Sequence, residues 1–161
     1  LSDIRDRKDR NGNGNVKITD LYIIDENKNR ASKVLSGTSI KFCVEYEAYN
    51  GTCEANTDID IGLQIYDRFG RFVSVLNNNM SNFKLELNRP KGMFTCQLNK
   101  LPLMYGDFSI NINLKINKEL CDFVENAFSF SVLEGDYYMS GRPNAGGRQG
   151  VYIEQFWTID R

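Results

Sequence analysis

The chain contains no histidine among its 161 residues, which removes the commonest general base and the commonest transition-metal ligand together. Charge of one sign is also missing. Twenty lysines and arginines face 21 acidic residues, so no basic surplus exists to hold a phosphate backbone, and nucleic acid is not an expected partner. No apolar run approaches the ~20 residues of a membrane-spanning helix. No GxxxxGK[ST] loop occurs, so this piece is not expected to hydrolyse nucleotide. No signal peptide precedes the patterned region, and the chain begins at Leu1 rather than Met. It is expected to be a piece of a longer protein. The four cysteines, Cys43, Cys53, Cys96 and Cys121, form no CxxC pair. Cys43 and Cys96 lie in apolar-patterned segments, and free buried thiols in a reducing compartment are expected in preference to disulfides.

What is present is alternation. Ile40, Phe42, Val44 and Tyr46 alternate with polar neighbours, as do Ile59, Ile61, Leu63 and Ile65. Phe108, Ile110, Ile112, Leu114 and Ile116 repeat the pattern, followed by Phe128, Phe130 and Val132. A period of two means strands with one buried face. Asp67-Arg68-Phe69-Gly70 is a hairpin signal, and Asn50-Gly51, Lys91-Gly92 and Tyr105-Gly106-Asp107 are further turns. The pattern predicts strands over 16–25, 38–48, 58–67, 71–77, 82–88, 92–99, 107–117, 127–133 and 150–159. Residues 118–126 have room for a single helical turn. About nine short strands with regular turns predict an all-β fold, an antiparallel immunoglobulin-like or jelly-roll β-sandwich. Residues 1–15, polar and rich in Asn and Gly, read as a linker with a short helix at its start. The sandwich is expected over 16–161. Residues 134–150 form a long glycine-rich loop before the last strand, and loops of this length are usually functional or mobile.

Asp9, Asn11, Asn13, Gly14, Val16 and Asp20 match the spacing of a twelve-residue calcium loop. Only two of those side-chain ligands carry charge, the twelfth position is the short Asp, and the following stretch is strand-like. The segment is read as a glycine-rich lead into the first strand, and neither a metal nor a cofactor is expected. Asp58 and Asp60 share a strand face but read as solvated carboxylates rather than a hydrolase pair. Sugar binding needs rings that stack on pyranose faces and amides, carboxylates or guanidinium groups that bond hydroxyls. Alternation turns Gln64 and Tyr66 outward from one strand, and Asn111 and Asn113 from another. Tyr137, Tyr138 and Arg142 lie in the long loop, and Trp157, the single tryptophan, in the predicted last strand. These eight are the candidate carbohydrate-binding residues.

The order of motifs resembles the C-terminal domain of the ATPase subunit of O-antigen polysaccharide ABC transporters, the Wzt family. Arg10, Gly12, Gly14 and Ile18 match an R-x-G-x-G-x-x-x-I opening, and a first strand ends in Ile24-Asp25-Glu26-Asn27. Ser36-Gly37-Thr38, the IYDRFGRFV run from Ile65 to Val73, the LPLMYGDF run from Leu101 to Phe108, and Gly150-Val151 leading to Trp157 follow in the same sequence. The resemblance spans residues 10–160. It implies a non-catalytic sandwich in the cytoplasm, at the inner membrane's cytoplasmic face. It further implies binding of a lipid-linked O-polysaccharide, often through its non-reducing end. A homodimer with exchanged C-terminal strands is implied too, with an N-terminal ATPase domain and the transporter's membrane subunit as partners. Three other readings stay open: a dimerisation or protein-interaction sandwich without a glycan site, an extracellular adhesin-type module, and a glycan-active enzyme.

Overall fold

Period-two patterning places every second side chain of a strand on one face, and two such sheets can bury their apolar faces against each other. The computed structural model describes residues 3–49, 51, 57–144 and 148–159. Among them a short 3₁₀ turn, Ile4–Asp6, precedes β1 (Arg10–Asn11), β2 (Val16–Ile24), β3 (Arg30–Ala31), β4 (Lys33–Leu35) and β5 (Ile40–Ala48). Then follow β6 (Ile59–Asp67), β7 (Phe72–Asn77), β8 (Lys91–Leu98), β9 (Gly106–Ile116) and β10 (Glu119–Leu133). The larger sheet runs β1–β10–β9–β6–β7, with β4 also on β10; the smaller runs β3–β2–β5–β8. All ladders are antiparallel except β4 with β10, where Lys33 to Leu35 run parallel to Ser131 to Leu133. No described helix is long and apolar enough to cross a membrane.

The core lies between the sheets. Ile110, Ile112 and Leu114 of β9 face Ile18, Ile23 and Phe42 of the smaller sheet's strands, all essentially without solvent contact. Phe42 meets Phe130 of β10 edge-on at 5.7 Å, joining the two layers. Cys43, Cys96 and Cys121 are free thiols, and burial raises the pKa of each. Cys53 lies outside the described residues.

Four expectations change. The 118–126 stretch holds no helical turn. Asn117 and Lys118, with φ of 51° and 69°, form a two-residue hairpin turn, and β10 continues through the region. Residues 82–88 pair with neither sheet, because they carry the chain across from β7 of one sheet to β8 of the other. Residues 150–159 form no strand: Val151 makes one bridge to Leu103, through the Gly150 carbonyl and the Tyr152 amide, and residues 153–159 join no described ladder. The opening segment lies against the sandwich. Ile4 is buried in the core, β1 pairs with β10, and Gly12 packs on the Cys121 backbone. The would-be calcium ligands there have other partners. Asp9 pairs with Arg7 at 2.8 Å, Asn13 caps the Asn15 amide, and Asp20 pairs with Arg30 at 3.0 Å.

Candidate functional site

The outer face of the larger sheet is built by register. β6 lies against β9 so that Gln64 stands opposite Asn111, Gly62 opposite Asn113, and Tyr66 opposite Ser109. β10 adds Phe123 beside Asn113 and Ser129 beside Ser109, while β7 adds Asn77 beside Gly62 and Phe72 beside Tyr66. Directly opposed side chains sit ~5 Å apart, and successive outward residues ~7 Å apart along a strand. The result is a lattice of amides and hydroxyls with rings at its margins.

Its internal bonds leave much capacity unused. The Asn111 side-chain oxygen accepts from the Asn126 amide at 2.9 Å, Asn77 donates to Asp60 at 2.7 Å, and the Tyr66 hydroxyl lies 3.4 Å from the Gln64 oxygen. Among the described residues the Asn111 amide nitrogen has no partner, nor does that of Gln64. Tyr66 meets Phe72 edge-on at 5.9 Å, and Phe72 is exposed. Gly62 makes room for Asn113: a Cβ there would fall 2.5 Å from the Asn113 side-chain oxygen. Two depressions continue the face at its Tyr66 end. One, of about 500 Å³, is lined by Ser109, Ser129, Ser131, Asp107, Lys33 and Arg68. The other, of about 420 Å³, is lined by Arg68, Arg71, Phe72, Tyr105 and Gln149.

A larger depression, about 790 Å³, covers the smaller sheet. Three of its charges, Arg5, Glu47 and Lys91, are grouped together. Glu47 accepts from the Tyr49 hydroxyl and from Arg5, each at 2.6 Å, and Lys91 lies 3.6 Å away. The Tyr49 hydroxyl first, then Arg5, hold the Glu47 carboxyl down to about 2. Arg30 lies 4.0 Å over the Tyr22 ring and pairs with Asp20.

Of the eight candidates, Gln64, Tyr66, Asn111 and Asn113 come together. The loop and tail residues lie apart, and no hydrogen bond or ring contact among the described residues joins them to those four. Tyr137 is buried, stacks on Tyr152 at 4.7 Å and carries Lys100 over its ring at 4.0 Å. Tyr138 meets both rings edge-on and donates to the Ile153 carbonyl at 2.8 Å. These tyrosines fasten the loop to the sandwich. Arg142 is exposed in the loop, and Trp157, 87% exposed, bonds Gln155 on the tail. Phe72, Asn77, Ser109 and Ser129 belong to the face and escaped the sequence reading. The alternation that turned Asn111 outward also covers Ser109, but β7 and β10 could not be placed beside it without the register.

Among solved structures, the chain is similar to the crystal structure of the C-terminal domain of Wzt, with 14% identity, 99% of this chain and 97% of that chain covered, and a TM-score of 0.70. That likeness shows the fold. The Pseudomonas fluorescens alkylpurine DNA glycosylase AlkC bound to DNA containing an abasic site analog has 12% identity, coverage of 74% of this chain and 30% of that chain, and a TM-score of 0.41. The PmoD soluble domain from Methylocystis sp. ATCC 49242 (Rockwell) has 11% identity, coverage of 73% and 90%, and a TM-score of 0.38. Neither of these two is similar enough to carry an argument. No curated protein sequence matches the chain significantly. A family profile described as the Wzt C-terminal domain matches residues 7–146, most of the chain, which therefore belongs to the Wzt C-terminal domain family.

Proposed function

We propose that the domain is a non-catalytic carbohydrate-binding module that recognises a lipid-linked O-antigen polysaccharide for export by an ABC transporter. Its partners are then an N-terminal ATPase domain of the same subunit and the transporter's membrane subunit, at the cytoplasmic face of the inner membrane. The observation that carries this reading is the meeting of Gln64, Tyr66, Asn111 and Asn113 on one open face with unengaged amide groups. Family membership agrees with it. Sugars exchange water hydrogen bonds for protein ones at small net gain, so dissociation constants of roughly micromolar to millimolar are expected. Tyr66→Ala and Asn111→Ala should each weaken retention on the host polysaccharide roughly 3- to 10-fold, the equivalent of one ring contact or one hydrogen bond, with the thermal transition intact. Unchanged retention in both variants would mean that this face is not the site.

The tail supports a second element of the proposal, a homodimer. Ile153, Phe156, Trp157 and Ile159 are 70–88% exposed on a segment that joins no described ladder. Such a segment is suited to pairing with a neighbouring copy.

A further inference from the structure

The Tyr66 end of the face holds cations that no described residue neutralises. Lys33 of β4 and Arg68 of the β6–β7 turn line the same depression. Neither has an ion-pair or hydrogen-bond partner among the described residues. The Arg68 guanidinium rests 4.7 Å over the Phe69 ring, a contact that restrains it without consuming its N–H groups.

The acidic groups at the depression are already engaged. Asp67 accepts the amides of Arg71 and Phe69, each at 2.9 Å, and lies 3.3 Å from the Arg71 guanidinium. The Arg71 amide above all keeps this carboxyl below its ordinary range. Asp107 accepts the Ser131 hydroxyl at 2.6 Å. With Asp67 set against Arg71, Lys33 and Arg68 face Asp107 alone, and the local balance is positive. The hydroxyls of Ser109 and Ser129, on the floor of the same depression, have no partner among the described residues.

We propose that this depression binds an acidic substituent of the glycan, a carboxylate or a phosphate. The inference rests on reading the larger sheet as the carbohydrate face, and it names the class of sugar that face takes. Ser109 stands directly opposite Tyr66. A pyranose stacked on Tyr66 would therefore place a ring substituent ~5 Å away, at the serines that line the depression together with the two cations. A guanidinium binds an oxyanion through two parallel N–H groups, a lysine adds a point charge, and serine hydroxyls complete the shell. Neutral sugars leave both cations unused.

The test is a nuclear magnetic resonance titration of the whole chain with sodium glucuronate, glucose 1-phosphate and glucose at pH 7. At least one acidic probe should shift the amides of Ser109, Ser129 and Ser131 at roughly 10-fold lower concentration than glucose, as expected for charge-assisted bonds. The stronger acidic probe identifies the oxyanion. In a Lys33→Gln, Arg68→Gln double variant the preference should disappear, while the Asn113 and Gly62 amides keep their positions. An equal response to glucose and the acids, no response of these serines to either acid, or an unchanged preference in the double variant each overturns the assignment. If Tyr66→Ala and Asn111→Ala still reduce polysaccharide retention in that event, the carbohydrate reading survives and only the acidic class is lost.

Discussion

Asp122 is a charged residue buried beneath the sheet edge, and its carboxylate organises the start of the fold. It receives two hydrogen bonds from Arg10, at 2.9 and 2.6 Å, and one from the Ile18 amide at 2.8 Å. Arg10 in turn bonds the carbonyls of Ile4 and Ile18. Asp122→Ala removes one partner and leaves the Arg10 charge buried, so a loss of about 3–5 kcal/mol in urea-unfolding stability is expected. A loss under ~1 kcal/mol would show that Arg10 finds water instead. Glu47 makes a contribution that depends on pH. Its carboxyl lies near 2 when folded, against ~4.3 for an unperturbed Glu. It therefore adds stability above ~4.3 and loses that contribution as pH falls toward 2. Thermal melts of Glu47→Gln and the natural chain should differ by a constant amount from pH 7 to ~5 and converge between ~4.3 and ~2. A gap that persists at pH 2 would assign the effect to packing.

At the scale of elements, alternation was a sound guide to six of the strands, edge strands β7 and β8 included, while β10 starts eight residues before its expected bound. β2, β5, β6, β7, β8 and β9 lie within two residues of their expected bounds. It misled at 82–88 and 150–159, where the same alternation occurs without a ladder to receive it. Leu87 there is buried and Leu85 half-buried, so the pattern reports side-chain burial even where the backbone pairs with nothing. The tail beyond Tyr152 is the clearest case, since Ile153, Phe156, Trp157 and Ile159 stay exposed in a single copy. If it joins two protomers, a chain ending at Tyr152, which keeps the Tyr137–Tyr138–Tyr152 cluster, should be a folded monomer by light scattering, while the whole chain is a dimer. A folded dimer from the shortened chain would place the interface elsewhere.

For the molecule as a whole, the inward and outward assignment of each strand was set by the sequence alone. Period two is a local property, and it turned Gln64, Tyr66, Asn111 and Asn113 outward before any strand was paired. Free thiols were expected in preference to disulfides, and Cys43, Cys96 and Cys121 are free. Tertiary structure decided which outward residues meet. Gln64 and Asn111 are far apart in the chain, and only the antiparallel register of β6 on β9 makes them neighbours. The same step brought Lys33, Arg68 and Ser129 from three elements to one depression, and sent Tyr137 and Tyr138 to hold the loop. The division has one physical cause: facing is fixed within a strand by its own pleat, whereas adjacency between strands depends on the burial of the whole core, which no single segment encodes.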